Sequence, residues 1–231
     1  MRMFRTQLFL LLSFIAIAPL AAADVARFVN LGFSNDSRVF MFAQYGIARE
    51  TAAPYAEIFT VDVPNNTFIR SGLASNEFDT PVGPGQDGLG ALFTVFPQVR
   101  SVVSQYNIHH VRQGRLIYVF INGSEVRDRI QFRDFETGNA YAIELIQEAR
   151  GSGESGSAAF YLNVQVTPTS GRTSSTQVGR PGFFRRGVNE YAISQVIVSP
   201  DERSLVIVMQ RNTNTDAGVR QRYMVETVRL F

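Results

Sequence analysis

The segment with the most evident binding chemistry places two aromatic rings beside two arginines. Phe183 and Phe184 are followed directly by Arg185 and Arg186, within the turn-rich stretch 181–188. A guanidinium pairs with anions and stacks on flat surfaces, and exposed aromatic rings anchor partners. The four residues are therefore candidates for binding an anionic or carbohydrate ligand or an envelope protein. The alternative is a loop whose phenylalanines pack on the core while its arginines remain hydrated.

A glycine-rich segment matches the spacing of a nucleotide-binding loop. Residues 151–156 read Gly-Ser-Gly-Glu-Ser-Gly, which fits G-x-G-x-x-G. Such a loop binds a pyrophosphate only when a helix follows it. The next residues, Ala158–Val164, instead predict a strand. The residue after Gly156 is also a serine, which does not fit G-x-S-x-G. We therefore interpret the segment as a flexible loop and predict no cofactor.

Neither metal binding nor catalysis is predicted from the remaining polar motifs. His109 and His110 are the only histidines, and cysteine is absent. Adjacent residues on a strand point to opposite faces, so the two histidines are not expected to act together. The stretch 212–218 begins like a calcium loop but has Ala217 where glycine is required and Tyr223 where glutamate is required. This stretch instead predicts a polar hairpin tip.

Two glutamates lie in segments that resemble each other in sequence. Glu57 and Glu226 occupy two predicted strands, and Arg38 and Arg203 follow two similar turns. Two carboxyl groups facing one cleft about 5–10 Å apart could serve glycoside hydrolysis. The simpler alternative is a set of cross-strand glutamate–arginine pairs, which contribute little to stability.

The N-terminus has the parts of a secretory signal peptide. Arg2 and Arg5 precede an apolar run, residues 8–20, and three alanines follow the run before Asp24. The run of about 13 residues is shorter than the roughly 20 that span a bilayer. We predict cleavage after Ala23, giving a signal peptide at 1–23 and one mature domain at 24–231. The protein would then be periplasmic or secreted, with no membrane span after cleavage.

Removal of the signal cancels the net positive charge. The chain has 22 basic and 20 acidic residues, and two of the arginines leave with the signal. The mature part is then formally neutral, which argues against a nucleic-acid partner. About 208 residues remain, enough to bury a core without disulfides.

The mature sequence predicts a mainly β fold. Short alternating or β-branched runs bounded by turn residues are typical of strands. They are Val25–Phe33, Arg38–Tyr45, Ala56–Val63, Leu116–Ile121, Arg129–Phe135, Ala140–Ile146, Ala158–Val166, Tyr191–Val198, Ser204–Gln210 and Tyr223–Leu230. Apolar residues at helical spacing predict one inserted amphipathic helix near 88–106, which either kinks at Pro97 or begins there. The stretches 71–90, 151–157 and 167–188 are predicted loops.

One turn-and-strand unit occurs near each end of the chain. Ser34-Asn35-Asp36 and Ser199-Pro200-Asp201 each precede an apolar strand, a variable loop and a return strand. Such units bury their apolar faces by stacking or by closing on one another. We therefore predict an antiparallel propeller-like or two-sheet sandwich arrangement that joins the two ends of the chain.

Two resemblances follow from these segments. Ser199-Pro200-Asp201 before Leu205–Val208 resembles the β-propeller repeat of the TolB type. A second likeness rests on four segments, Phe28–Ser34, Tyr55–Ile58, Arg186–Val188 and Tyr223–Thr227. Through these segments most of the mature chain resembles a family of predicted secreted bacterial proteins, the domain of unknown function 2259 group. The resemblance implies export and implies no reaction.

These observations favour a non-catalytic binding or scaffold module of the cell envelope, acting through loops on a rigid β framework. The alternative is an envelope hydrolase that acts on carbohydrate or peptide through carboxylates. A deep cleft with two facing carboxylates would favour the hydrolase. An aromatic–arginine surface around residues 183–186 would favour the binding module.

Overall fold

The computed structural model describes residues 24–83, 85–121 and 126–230, and the predicted signal peptide lies outside them. In chain order the strands are β1 (Asp24–Val25), β2 (Arg27–Ser34), β3 (Val39–Ile47), β4 (Pro54–Asp62), β5 (Thr67–Phe68), β6 (Ala74–Glu77), β7 (Ile108–His109), β8 (Arg115–Val119), β9 (Arg129–Arg133), β10 (Ala140–Arg150), β11 (Ser157–Thr167), β12 (Ser174–Gly179), β13 (Arg185–Arg186), β14 (Glu190–Val198), β15 (Ser204–Thr215) and β16 (Gly218–Arg229). The α-helices are α1 (Leu89–Val95) and α2 (Arg100–Gln105).

The strands form three sheets. The central sheet has the order β1-β16-β15-β14-β8. The helix-side sheet has the order β5-β4-β3-β2-β7, with β6 also paired to β4. The outer sheet has the order β12-β11-β10-β9, with β13 also paired to β11. Described strand pairs are antiparallel except β1 with β16, which run parallel.

The central sheet is buried on both faces. Side chains of β15 alternate between two cores: Ile207 and Met209 pack with the outer sheet, whereas Val206 and Val208 pack with the helix-side sheet. A strand covered on both faces needs apolar residues at every position rather than at alternate ones. This requirement explains the unbroken apolar run from Leu205 to Met209.

The helix covers the other face of the helix-side sheet. Met41 and Ala43 of β3 pack in one cluster with Val95 and Val99. Pro97 lies in a 3-10 turn, Phe96–Val99, that joins α1 to α2. Pro97 has no N–H to donate, and the short 3-10 turn carries the helical path past the one α-helical hydrogen bond that is lost there. The predicted helix is therefore confirmed as one segment of 17 residues.

The mainly β fold with one helix is confirmed, and each predicted strand occurs. The structure stacks three sheets and so has one layer more than a two-sheet sandwich. The first strand of the described range meets the last one, because β1 pairs with β16. The prediction of loops at 71–90 and 167–188 is wrong in part, since these stretches contain β6, β12 and β13. The TolB-type repeat stays a prediction.

Within the described ranges, no helix combines the length and apolar character that crossing a bilayer requires.

Candidate functional site

The four residues of the predicted aromatic–arginine patch do not form one surface, because only two of them line a cleft. Arg185 and Arg186 form β13, whose two residues pair with Ala158 and Ser157 of β11. Phe183 is 49% exposed. Phe184 instead lies against the guanidinium of Arg150, at 3.6 Å from ring centroid to Cζ. Phe183 and Arg185 line a cleft, whereas Phe184 and Arg186 do not contribute to its lining.

This cleft, here called the Glu226 cleft, has a volume of about 490 Å³ and lies where all three sheets meet. The helix-side sheet contributes the turn between β4 and β5, the central sheet contributes β16, and the outer sheet contributes the segment from β12 to β13. The lining residues are Val61, Asn65, Asn66, Thr67, Phe68, Gly179, Arg180, Phe183, Arg185, Met224, Val225 and Glu226.

The guanidinium of Arg185 is held by aromatic rings rather than by an anion. Its Cζ lies 5.0 Å from the ring centroid of Phe183, 5.3 Å from Phe160 and 6.0 Å from Tyr191. Its Nη1 atom is buried and forms no hydrogen bond of normal geometry, and the guanidinium also acts on the Tyr191 hydroxyl. A buried donor without a partner costs about 1–3 kcal/mol. The cleft is therefore lined by a positioned cationic side chain that forms no ion pair in the described part of the chain.

Glu226 is the acidic group of the cleft and is only 5% exposed. The amide of Asn66 donates a hydrogen bond to Oε2 at 2.5 Å. Asn66 is itself oriented by the Thr227 backbone N–H, which donates to its Oδ1 at 2.8 Å. Burial raises the pKa of Glu226, and this effect exceeds the opposing effects of Asn66, Arg185 and Arg180. Glu226 therefore takes up a proton more readily than an exposed glutamate.

The mouth of the cleft combines apolar and polar groups. Phe68 is 44% exposed and belongs to the short strand β5. Asn65 and Thr67 flank Asn66, which adopts a left-handed conformation with φ of 49°. Asparagine tolerates this conformation better than most residues, which explains the tight turn there. The sequence signals the turn through Pro64-Asn65-Asn66 but does not indicate that the turn borders a site.

Glu57 lies in a different cleft, of about 250 Å³, together with Tyr55, Glu77 and Arg222. Its carboxylate accepts a hydrogen bond from the amide of Gln44 at 2.5 Å. The hypothesis that Glu57 and Glu226 face one cleft is therefore wrong. The expected cross-strand pairs are also absent from the described part of the chain, where neither Arg38 nor Arg203 forms an ion pair with these glutamates.

The other sequence motifs form local structure. The glycine-rich segment forms a 3-10 turn, Gly153–Ser155, followed by β11, so the predicted strand after it is confirmed. The calcium-like stretch forms the hairpin tip in which Thr215 pairs with Gly218. The Nδ1 atom of His110 lies 2.6 Å from the carbonyl oxygen of Leu31. Among residues 24–83, 85–121 and 126–230, no three histidine, aspartate or glutamate side chains group as metal ligands.

A model of the family described as "Predicted secreted protein (DUF2259)" matches residues 41–229. The chain belongs to this family. The matched range contains every lining residue of the Glu226 cleft, from Val61 to Glu226. A search of curated proteins found no match. For this DUF2259 protein, the family description supports secretion and names no ligand or reaction.

Proposed function

We propose that this DUF2259 protein is a non-catalytic binding module of the cell envelope and that its ligand binds in the Glu226 cleft. The observation that carries the proposal is the guanidinium of Arg185, which lines the cleft and has no carboxylate within ion-pair distance in the described part of the chain. The exposed ring of Phe183 lies beside it. An anionic ligand would supply the charge partner that Arg185 lacks within the described protein.

The cleft fits the alternative, an envelope hydrolase, less well. The raised pKa of Glu226 would suit a general acid. A hydrolytic pair, however, needs a second carboxylate across the cleft, and Glu226 is the only carboxylate among the lining residues that the structure describes. Glu57, the expected second member, lines another cleft. Binding without turnover accounts for both observations.

We also propose that the protein reaches the periplasm or the medium after cleavage behind Ala23. N-terminal sequencing of protein recovered from these fractions is expected to begin at Asp24. Recovery of the protein with Met1 in the membrane fraction would contradict the proposal. Family membership supports the export step, and sequencing tests the cleavage position separately.

Arg185 and Arg186 offer a matched pair of variants for testing the binding site. Arg185→Ala removes a cleft guanidinium, whereas Arg186→Ala removes an exposed neighbour on the same two-residue strand. Immobilised protein spanning residues 24–231 is used to capture ligand from envelope extract. We expect the Arg185→Ala variant to capture at least about tenfold less than the parent, because a lost charge-assisted hydrogen bond weakens binding by that order. The Arg186→Ala variant is expected to bind normally.

Thermal unfolding of both variants distinguishes binding from folding. Replacement of Arg185 removes an unsatisfied buried donor but also its contacts with the rings of Phe160 and Tyr191. Because these effects oppose each other, the melting temperature of the Arg185→Ala variant is expected to stay within roughly 3 °C of the parent. Equal capture by the two variants would reject the Glu226 cleft as the binding site. If Arg185→Ala unfolded, Arg185→Lys would retain the charge, lose the planar donor geometry and serve the same comparison.

A further inference from the structure

We propose that the ligand of the Glu226 cleft is an acidic sugar whose carboxylate pairs with Arg185 and whose ring lies against Phe183 and Phe68. This inference rests on the proposed binding function and specifies its ligand class. Three features of the cleft carry it: an excess of positive charge, a single buried carboxyl group beside that charge, and exposed aromatic rings among polar side chains.

The described lining of the cleft has two guanidinium groups, Arg180 and Arg185, against one carboxyl group, Glu226. The excess charge favours an anionic ligand. Arg185 is already positioned by the aromatic rings around it, and the Cζ of Arg180 lies 5.8 Å from the ring centroid of Phe183. A preorganised guanidinium loses little freedom when it binds a planar carboxylate in a bidentate manner.

The position of Glu226 favours a singly charged anion over a phosphate. A ligand with two negative charges would approach a buried carboxyl group and be repelled by it. A ligand carboxylate can instead share a proton with Glu226, because two adjacent carboxyl groups retain one proton between them. Burial already favours the protonated form of Glu226 before any ligand arrives. The cleft is therefore better suited to a carboxylic acid than to a phosphate ester.

The mouth of the cleft fits a ring that carries hydroxyl groups. Phe68 and Phe183 are each nearly half exposed, which leaves apolar surface for the C–H faces of a sugar. Asn65 and Thr67 supply an amide and a hydroxyl group next to Phe68. A volume of about 490 Å³ falls in the range of small-ligand sites. An acidic sugar combines the carboxylate, the apolar ring faces and the hydroxyl groups that these residues match.

This arrangement makes binding depend on pH through Glu226. The groups that act on Glu226 are Asn66 from the β4–β5 turn, the Gly179 backbone N–H, and the cations Arg180 and Arg185. Tyr191 of β14 also lies within electrostatic range of it. Arg185 favours the charged form of Glu226. An anion bound at Arg185 cancels part of this effect, which raises the pKa of Glu226 further. Binding is therefore accompanied by uptake of a proton. Affinity is therefore expected to fall as the pH rises.

The test compares two sugars that differ only at carbon 6. Protein spanning residues 24–231 and labelled with ¹⁵N is titrated with D-glucuronate and with D-glucose, and chemical-shift changes of backbone amides report binding. At about pH 5, where the glucuronate is ionised, we expect it to bind at least about tenfold more tightly than glucose. Inorganic phosphate forms a third arm, compared with glucuronate at about pH 8, where phosphate carries mainly two negative charges. Binding of phosphate as tight as that of glucuronate, or binding of glucose as tight, would overturn the proposal.

Variants test the role of each charged group. Arg185→Gln is expected to abolish the preference for glucuronate over glucose, with Arg186→Gln as the matched control that retains it. Glu226→Gln is expected to bind glucuronate with the same affinity at about pH 5 and about pH 8, whereas the parent weakens over this range. If Glu226→Gln kept the pH dependence of the parent, Glu226 would not be the group that makes binding depend on pH. Titration calorimetry of the parent in two buffers of different ionisation enthalpy measures the proton uptake directly, and binding without proton uptake would lead to the same conclusion.

The failure of this inference differs from the failure of the proposed function. If envelope capture depends on Arg185 but glucuronate binds no better than glucose, the binding function stands and the acidic-sugar assignment falls. If capture is independent of Arg185 and glucuronate shifts no amide near Phe183, both fall.

Discussion

We expect the Asp24→Ala variant to lose about 3 kcal/mol of unfolding free energy, because the substitution leaves a buried guanidinium without its counter-ion. Arg222 donates two hydrogen bonds to the Asp24 carboxylate, at 3.0 Å to Oδ1 and 2.9 Å to Oδ2. The Tyr55 hydroxyl donates another to Oδ1 at 3.1 Å. The side chains of Arg222 and Asp24 are only 16% and 10% exposed, so water cannot easily replace the lost partner.

The position of Asp24 adds to the expected effect. In the part of the chain that the structure describes, Asp24 supplies the only carboxylate within ion-pair distance of Arg222. The Arg222 guanidinium also stacks on the Tyr55 ring, 4.2 Å from its centroid, so it cannot swing out to solvent without losing that contact. The ion pair further fixes β1 on the edge of the central sheet beside β16. The first residue of the predicted mature chain is thus part of the folded structure.

Chemical denaturation of protein spanning residues 24–231 measures this loss, with Val25→Ala as the matched control. Val25 lies on the same two-residue strand and is 45% exposed, so its truncation is expected to change stability by no more than about 0.5 kcal/mol. The double variant Asp24→Ala/Arg222→Met should recover part of the loss, since it no longer buries an unpaired charge. Equal unfolding midpoints for Asp24→Ala and Val25→Ala would show that the ion pair gives no net stabilisation.

The sequence predicts the interior strands well because burial dictates their composition. β3 and β15 are covered on both faces and are therefore apolar at successive positions. The order of the layers could not be predicted from the same pattern. Apolar periodicity indicates that a face is buried but not which element covers it, so three stacked sheets and a two-sheet sandwich produce the same local signal.

The sequence does not predict the edge strands β6 and β12, for a related reason. β6 reads Ala-Ser-Asn-Glu and β12 reads Ser-Ser-Thr-Gln-Val-Gly, and most of their side chains are exposed. An edge strand can be held by backbone hydrogen bonds to one neighbour without burying an apolar face. Its sequence then resembles that of a polar loop. The pairing of Ala74–Glu77 with β4 depends on the neighbouring strand, which local sequence does not report.

The candidate site was predicted only in part. Arg185 and Arg186 are adjacent on a strand and must point to opposite sides, but the sequence does not tell which side faces a cleft. Asn66 and Glu226 are separated by 160 residues and meet only through the packing of the central sheet on the helix-side sheet. No spacing rule connects them. The Glu226 cleft therefore becomes visible only when the three sheets are in place.

Replacement of Ser199, a buried serine in the turn between β14 and β15, tests how much the repeated turn contributes to stability. Ser199 donates to Oδ1 of Asp201 at 2.5 Å, and its hydroxyl oxygen accepts the Ser204 backbone N–H at 3.0 Å. Ser199 is only 2% exposed. Ser199→Ala leaves the Ser204 N–H without this acceptor, so we expect a loss of about 2 kcal/mol in unfolding free energy.

The first copy of the turn has the same hydrogen bonds. Ser34 donates to Asp36 at 2.7 Å and accepts the Val39 backbone N–H at 2.9 Å. The fourth residues of the two turns, Ser37 and Glu202, share a φ of 59°. Because the two turns belong to different sheets and these hydrogen bonds share no residue, Ser34→Ala is expected to cost a similar amount. The double variant is expected to lose the sum of both to within about 0.5 kcal/mol.

Thermal and chemical unfolding of the two single variants measure these losses, and Ser175→Ala provides the control. Ser175 lies exposed on β12, so its hydroxyl satisfies no buried backbone group and its removal should leave the melting temperature nearly unchanged. A loss of about 2 kcal/mol corresponds to a fall of roughly 4–8 °C in a domain of this size. If Ser199→Ala and Ser175→Ala had the same melting temperature, the Ser199 hydroxyl would contribute nothing to stability. A fall for Ser199→Ala alone would mean that only the C-terminal copy stabilises the stacked sheets.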